Sequence, residues 1–356
     1  MVRYYTKIEQ VPFLTEEEKK RLLKVEEHFA FRANSYYLRL IKWDDPTDPI
    51  RRIIIPSLDE LEEWGKLDAS NEKQYTVQRG IEHKYPDTAL FLTSRVCGSY
   101  CRFCFRKRLF IKGSTEVSLG IKERVNYIRS HPEITNVLLS GGDPLILSTR
   151  KLIELVSALS EIEHLRFIRI GTKTPAFNPF RITDDPELER VVSILKKSGK
   201  GAYIVTQFNH PRELTNEAKE AVRKLLSWGA ILLNQTPLLR GINDNPDTLR
   251  ELFISLVEIG ISPYYIFQNR PVLGNHHFSV PITEGIRIIR EAKRGISGLA
   301  GRIIYIMSHT TGKIEIVGCD EKQIYLKYHR AANPENHYRI LTVSRKDDAL
   351  WFDDLV

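Results

Sequence analysis

Three cysteines, Cys97, Cys101 and Cys104, lie within eight residues of the chain. This Cys-x3-Cys-x2-Cys run can bind three irons of a [4Fe–4S] cubane and leave the fourth iron open to a cofactor or substrate. The alternatives are a structural zinc site, which normally needs a second ligand pair, and cysteines that merely pack in a core. The spacing favours the cluster. Cys319 stands alone and is predicted to be a core or surface residue.

A Ser-Gly-Gly-Asp run at residues 140–143 is the second candidate for chemistry. Glycine lets another group approach the backbone closely, and a carboxylate can pair with an ammonium. A Gly-Gly-Asp sequence by itself is usually only a turn. Its place at the end of a predicted strand makes it a candidate for ligand binding.

Both motifs follow predicted β-strands. From Thr88 onward, β-branched or aromatic runs alternate with helical stretches, which is typical of βα units on a parallel sheet. The runs are TALFLTSRV, TNVLLSGG, LRFIRIGTK, AYIVTQF, ILLNQTPLL and SPYYIFQNR. Six such units predict an α/β fold with a partial (β/α)6 barrel. The cysteines are then placed at the carboxyl end of the sheet, where such folds carry their chemistry.

The chain is predicted to have three parts. Residues 1–87 lack the alternation and form an N-terminal accessory region, in which a capped amphipathic helix begins near Thr15 and DDPTDPIRRIIIPS is a connection. Residues 88–298 form the partial barrel. Residues 299–356 form a small β extension, and its acidic end, DDALWFDDLV, is predicted to be a docking tail or frayed.

Composition argues against several partners. The formal net charge is +8, but basic and acidic residues are interleaved, so no nucleic-acid partner is expected. No apolar run approaches the roughly 18 residues of a membrane span. The N-terminus has charges where a signal peptide has its apolar segment, which predicts a cytoplasmic protein.

Seven segments resemble, in order and over nearly the whole chain, the lysine 2,3-aminomutase family of the radical S-adenosylmethionine (SAM) superfamily. They are DPIRRIIIPS, HKYPDTALFLTSRVCGSYCRFCFRKR, LLSGGDPL, RIGTKTP, FNHPRELT, NQTPLLRGIND and PYYIFQ. The resemblance implies a [4Fe–4S] cluster, SAM and pyridoxal 5′-phosphate (PLP). Reduced SAM yields a radical that removes a β-hydrogen from a PLP-bound amino acid, whose nitrogen then moves from C2 to C3. It also implies an electron donor of flavodoxin or ferredoxin type and, as an expectation, self-association.

The resemblance assigns cofactor residues. The three clustered cysteines match the cluster ligands. The residues that match the strand end meeting the amino group of SAM are Ser140, Gly141, Gly142 and Asp143.

Lys313 matches the PLP lysine, which needs a lowered pKa to react at neutral pH. Only Gly312 stands before it where the family has a longer glycine run, and an exposed strand-end lysine is the alternative. Lys84 and Tyr85 match an Arg-Tyr pair near the PLP phosphate, whereas Thr88 replaces the companion arginine.

The resemblance also indicates how substrate is bound. Arg106 matches the arginine that binds the substrate α-carboxylate, which suits the guanidinium fork. Lysine-specific members hold the ε-ammonium with two aspartates. Here the first position is Arg270, and the second falls near Ile306 by ungapped counting back from Lys313. A cation at the first position would repel an ε-ammonium.

Glutamate or another acidic amino acid is therefore the predicted substrate, since glutamate-specific members also carry a basic residue at this position. If Arg270 turns to solvent or pairs locally, lysine or a translation-factor lysine stays open. Two further function classes also stay open. One is a radical SAM enzyme without PLP, and the other is a non-enzymatic iron–sulfur or zinc protein that binds nucleic acid.

Overall fold

The computed structural model describes residues 2–111, 113–117 and 120–356. Of the fourteen strands in that part of the chain, the last twelve form one sheet that carries the main architecture, and the first two form a separate antiparallel pair. The strands are β1 Tyr4–Tyr5, β2 Ala33–Asn34, β3 Thr76–Gln78, β4 Ile81–Tyr85, β5 Thr88–Ser94, β6 Asn136–Gly141, β7 Phe167–Thr172, β8 Gly201–Thr206, β9 Ile231–Pro237, β10 Ser262–Phe267, β11 Ile304–His309, β12 Gly312–Cys319, β13 Gln323–Ala331 and β14 Ile340–Ser344.

The helices flank this sheet and form the accessory region. They are α1 Glu16–Glu26, α2 Ser35–Leu38, α3 Pro49–Ile54, α4 Ile121–Arg129, α5 Thr149–Ser160, α6 Thr174–Phe177, α7 Phe180–Thr183, α8 Glu189–Lys197, α9 Asn216–Ser227, α10 Pro246–Glu258, α11 Ile282–Lys293 and α12 Gly298–Gly301. Among the described residues, every helix falls short of the length and apolar character that a membrane span requires.

The strands from β5 to β11 are neighbours in chain order and run parallel. Each strand from β5 to β10 is followed by at least one helix, which confirms the α/β class and the six βα units. Strand β11, which the sequence analysis grouped with the C-terminal extension, is a further parallel strand. It pairs with β10 because α11 and α12 carry the chain back to the same end of the sheet.

Antiparallel strands extend the sheet at both edges. β3 and β4, from the stretch predicted to be accessory, pair next to β5. At the other edge β12, β13 and β14 continue from β11, which confirms the small β extension. In the described part of the chain the edge strands β3 and β14 do not pair with each other, so the sheet is open.

Three buried apolar clusters support these layers. The first packs β5–β9 against α4, α5, α8 and α9. The second packs β10–β13 against α10 and α11, and the third fills the N-terminal region. Each helix turns an apolar face to one of these clusters, which is the burial that stabilises an amphipathic helix.

Local sequence explains the helices of the accessory region. The hydroxyl oxygen of Thr15 accepts a hydrogen bond from the backbone N–H of Glu18, whose carboxylate accepts one from the N–H of Thr15. This capping box starts α1 where the sequence predicted it. The predicted connection was wrong in part, because α3 lies within it. Asp48 caps α3, and Pro49 occupies its first position, where no N–H is needed.

The acidic C-terminus packs against its own chain. Trp351 is 3% exposed and Leu355 is 5% exposed, and both belong to the second buried cluster. The Gln268 amide donates to the carbonyl of Leu350 at 2.8 Å. The expectation of a docking tail or a frayed end was therefore wrong, because apolar residues among the acidic ones are buried in the core.

The accessory region holds the loop that carries the three cysteines. Arg32 Nε donates to the carbonyl of Cys97 at 2.9 Å, and Asn34 Nδ2 donates to the carbonyl of Gly98 at 3.0 Å. These bonds satisfy loop carbonyls that no strand or helix pairs.

A buried ion pair strengthens the same contact. Arg102, between the second and third cysteines, donates from Nη2 to Glu60 Oε2 at 2.8 Å and from Nε to Glu60 Oε1 at 2.9 Å. Their side chains are 2% and 0% exposed. Breaking one partner of such a pair leaves the other charge buried and uncompensated.

We expect Glu60→Gln to lower the free energy of unfolding by about 3 kcal/mol, because Arg102 would keep its charge without a counter-ion. Urea unfolding followed by circular dichroism measures the change. Glu63→Gln, at an exposed neighbouring carboxylate, is the control and should change it little. Equal stability of the two variants would show that the buried pair does not hold the accessory region in place.

Candidate active site

A cavity of about 310 Å³ lies where the parallel strands end. All of the site residues predicted from sequence line it, although they come from segments far apart in the chain. They are Lys84, Tyr85, Cys97, Cys101, Cys104, Arg106, Ser140, Gly141, Gly142, Asp143, Arg270 and Lys313. Cys319 is not among the lining residues and packs against the second buried cluster.

The three clustered cysteines are free thiols facing this cavity. Burial raises the pKa of the Cys97 thiol well above its usual range, and the charge of Asp143 adds to the effect. Burial also raises the pKa of the thiols of Cys101 and Cys104. Among the described residues, no three His, Cys, Asp or Glu side chains have the spacing of ligands to one metal ion. A cubane binds each thiolate to a separate iron.

The Gly-Gly-Asp turn fixes the start of the cysteine loop. The N–H of Gly142 donates to the carbonyl of Ser94 at 2.6 Å, and the N–H of Asp143 donates to that of Val96 at 2.8 Å. A Cβ atom at Gly142 would lie 2.4 Å from the Val96 carbonyl oxygen. Glycine is needed here because two backbones touch.

The Asp143 carboxylate points into the protein. It accepts hydrogen bonds from the N–H groups of Leu145 and Lys173 and from the hydroxyls of Thr172 and Thr174, at 2.8–3.0 Å. This differs from the expectation that the carboxylate pairs with the SAM ammonium. These four donors take up its acceptor positions, so the turn presents backbone to the cavity instead.

Lys313 lies on β12 and lines the cavity. Burial and the nearby cations Arg169 and Arg330 together lower its pKa to about 7. Its Nζ lies 4.7 Å from the centroid of the Tyr265 ring. Within the described residues, no carboxylate lies at ion-pair distance from it. The alternative of an exposed strand-end lysine is therefore wrong.

Lys84 and Tyr85 line the cavity beside Lys313. Lys84 Nζ donates to the carbonyl of His309 at 2.6 Å, and burial lowers its pKa to about 8. The guanidinium carbon of Arg330 lies 4.4 Å from the centroid of the Tyr85 ring. Arg330 also donates from Nη1 to the hydroxyl of Thr88 at 3.3 Å.

Arg106 is held in place by the protein. It donates from Nε and Nη2 to the Glu72 carboxylate at 3.1 and 2.9 Å, and from Nη1 to the Ser140 hydroxyl at 2.9 Å. The atom that faces the cavity is therefore Nη1. A ligand carboxylate could accept the hydrogen bond that Nη1 now donates to the Ser140 hydroxyl.

The two carboxyl groups beside Arg106, those of Glu72 and Glu82, have pKa values shifted in opposite directions. Burial opposes ionisation of Glu72, but Arg106 and Arg108 lower its pKa to about 2. Burial and the charge of Glu72 raise the pKa of Glu82 to about 8. Ionisation of Glu82 is thus opposed, although Arg106 Nη2 lies 3.7 Å from its Oε2. In the described part of the chain its Oε1 is buried without a hydrogen-bond partner.

Arg270 faces the cavity and not the solvent. Its guanidinium carbon lies 3.8 Å from the centroid of the Phe105 ring. Burial lowers its pKa to about 10, so it stays charged at neutral pH. Among the described residues, no atom accepts a hydrogen bond from its buried Nη1, and no Asp or Glu forms an ion pair with it. The expected alternatives of a solvent-facing or locally paired side chain are not found.

The sequence analysis missed several lining residues. Arg169 lies in the quoted segment RIGTKTP, so its signal was present but no role was given to it. Arg330 and Ser308 lie on strands interpreted only as an extension. Ser308 lines the cavity, whereas Ile306 is fully buried.

The cavity has an excess of positive charge. Of the described residues that line it, seven are lysines or arginines and three are carboxylic acids. A buried cationic lining of this kind binds anionic groups.

Comparisons with known proteins show what the chain is similar to. Residues 91–253 match the Radical SAM superfamily. A protein of Aquifex aeolicus named "Putative L-lysine 2,3-aminomutase" is 54% identical over 98% of this chain and 92% of its own length. The L-lysine 2,3-aminomutase of Clostridium subterminale is 38% identical over 80% of this chain and 68% of its own. The glutamate 2,3-aminomutase of Clostridioides difficile is 39% identical over 81% and 67%. Because the identities to the last two proteins are nearly equal, they do not indicate whether lysine or glutamate is the substrate of this chain.

We expect Gly142→Ala to prevent iron–sulfur reconstitution, because the added Cβ would push the Val96 backbone and the cysteine loop away. Iron and sulfide per chain after anaerobic reconstitution measure the loss. Gly171→Ala is the matched control, since its Cβ would meet its nearest atom at an ordinary 3.6 Å. Full iron content in Gly142→Ala would contradict this role for the turn.

We expect Lys313 to react as a free amine near neutral pH. Only the unprotonated amine is nucleophilic, so its reactivity should rise as pH increases through about 7, whereas an ordinary lysine would rise near about 10.4. Reductive methylation by formaldehyde across this range, with peptide mass spectrometry, measures the midpoint. Lys313→Arg, which lacks the reactive amine, confirms the peptide assignment. A midpoint near that of an ordinary lysine would contradict burial of this amine.

Proposed function

We propose that this chain, which belongs to the lysine 2,3-aminomutase family of the radical SAM superfamily, moves the α-amino group of an acidic L-α-amino acid from C2 to C3. Glutamate is the favoured substrate. The cofactors of the family are a [4Fe–4S] cluster, SAM and PLP. The reaction is an isomerisation, so it consumes no electrons overall.

The residues of the cavity fit these groups. Cys97, Cys101 and Cys104 would hold the cluster, and Lys313 would hold PLP. The cluster and SAM supply the radical that removes and returns the β-hydrogen, PLP carries the amino group, and a flavodoxin- or ferredoxin-type donor supplies the initiating electron. The lowered pKa of Lys313 supports retention of PLP and disfavours an enzyme of this family without it.

The observation that carries the substrate proposal is the unpartnered Nη1 of Arg270. A buried donor without an acceptor costs about 1–3 kcal/mol, and more when it is charged. A side-chain carboxylate would supply the missing acceptor, while Arg106 would bind the α-carboxylate. The ε-ammonium of lysine would instead meet a like charge in a water-poor cavity.

Lysine is the second candidate, and Glu82 favours it. The buried Oε1 of Glu82 has no hydrogen-bond partner in the described part of the chain and could accept one from an ε-ammonium. That contact would require Glu82 to ionise against a pKa of about 8. The acid therefore fits a cationic side chain less well than Arg270 fits an anionic one.

The deciding assay supplies L-glutamate, L-aspartate and L-lysine in parallel to reconstituted enzyme with PLP, SAM and reductant. We expect a β-amino isomer from an acidic substrate only. Lysine conversion alone would overturn the acidic-substrate proposal. No isomer from any of the three would count against the proposed reaction itself.

Two variants locate the side-chain contact. We expect Arg270→Gln to raise KM for the acidic substrate roughly a hundredfold, since a buried charged contact is lost. Glu82→Gln should leave that KM nearly unchanged. Arg302→Gln, at an exposed arginine, is the control, and iron content is checked for each variant. A raised KM in Glu82→Gln but not in Arg270→Gln would instead favour lysine as the substrate.

A further inference from the structure

We infer that Arg330 is the arginine that binds the PLP phosphate in this chain, in place of the arginine that Thr88 replaces. The inference rests on the proposed function, because it requires PLP to be bound at Lys313. It assigns a role to a residue outside every segment that resembles the family.

The strand register places Arg330 directly opposite the reactive lysine. In the antiparallel pair of β12 and β13, Lys313 and Arg330 are Cα partners. Side chains directly opposite each other leave the sheet on the same face, with Cβ atoms about 4.5–5.5 Å apart. Both line the cavity. A group bonded to Lys313 Nζ therefore extends within reach of the Arg330 guanidinium.

The contacts of Arg330 lie on the segment that resembles the phosphate-binding stretch. Its guanidinium stacks on the ring of Tyr85, donates to the Thr88 hydroxyl at 3.3 Å and forms an ion pair with Asp87. The guanidinium thus occupies the space next to Thr88 that the expected arginine would fill. The guanidinium beside Thr88, a residue of β5, therefore comes from Arg330 on β13.

The present partner of Arg330 is one that a phosphate can displace or share. Asp87 is 49% exposed at its side chain, and an exposed ion pair contributes little to stability. A phosphate dianion offers three oxygens and suits the guanidinium fork better than one exposed carboxylate oxygen. Lys84, on the same side of the cavity, adds a second cation.

Arg169 is the competing candidate for this role. It lines the cavity and donates from Nη2 to Asn136 Oδ1 at 2.6 Å. Asn136 in turn donates to the Thr88 hydroxyl at 2.8 Å. Arg169 stands in a segment shared with the family, so it does not compensate for a change at position 88. Arg330 does.

The test compares PLP with pyridoxal, which lacks the phosphate. Dissociation constants are measured by titration of the apoprotein, with the visible absorption of the lysine adduct and borohydride trapping at Lys313 as readouts. We expect Arg330→Gln to weaken PLP binding roughly tenfold to a hundredfold, as a charge-assisted contact is lost. Pyridoxal binding should stay within about twofold.

Three further variants keep the test decisive. Thr88→Arg combined with Arg330→Gln should recover most of the PLP affinity. Arg330→Lys keeps the charge but loses the guanidinium fork, so its affinity for PLP should lie between those of wild type and Arg330→Gln. It serves as the test variant if Arg330→Gln folds poorly. Arg339→Gln, at an exposed arginine immediately before β14, is the matched control and should bind PLP as wild type does.

Unchanged PLP affinity in Arg330→Gln would overturn the inference. Equal weakening of PLP and pyridoxal would also overturn it, because Arg330 would then act through Lys313 or the fold. If wild type itself forms no adduct at Lys313, the PLP part of the proposed function fails instead. The two failures are therefore distinguishable.

Discussion

The structure depends on holding one loop, the loop that carries the three cysteines. A loop without regular secondary structure must have its carbonyls and charges satisfied by its surroundings. The accessory region does this from one side, through Arg32, Asn34 and the buried Arg102–Glu60 pair. The Gly-Gly-Asp turn does it from the other, at a backbone distance that only glycine allows. The thiols thus face one cavity together.

The chemistry of the cavity follows from burying many cations among few anions. Burial and neighbouring cations lower the pKa of Lys313 to about 7, which makes it an amine nucleophile. The same crowding keeps Glu72 ionised between Arg106 and Arg108, while burial and the charge of Glu72 raise the pKa of Glu82. A cavity of this charge attracts phosphate and carboxylate groups, and it needs them to compensate its own charge.

Substrate choice depends on which polar atoms remain unpaired. Arg270 Nη1 and Glu82 Oε1 are both buried without a hydrogen-bond partner in the described residues, and they would suit opposite side chains. The similar identities to lysine and glutamate 2,3-aminomutases do not decide between them. The arginine is charged at neutral pH, whereas burial and the charge of Glu72 oppose ionisation of Glu82, so the electrostatic balance favours an acidic substrate.

The sequence by itself determined the α/β class and the six βα units, because these depend on local periodicity. It also identified part of the cavity lining, through motifs that resemble those of a known family. The tertiary structure alone decided that β11 is parallel, that the Asp143 carboxylate turns inward, that Ser308 and not Ile306 faces the cavity, and that Arg330 stands opposite Lys313. Each of these depends on which distant segments pair and in what register. A one-residue change of register moves a side chain to the other face of a strand, and no local pattern encodes that choice.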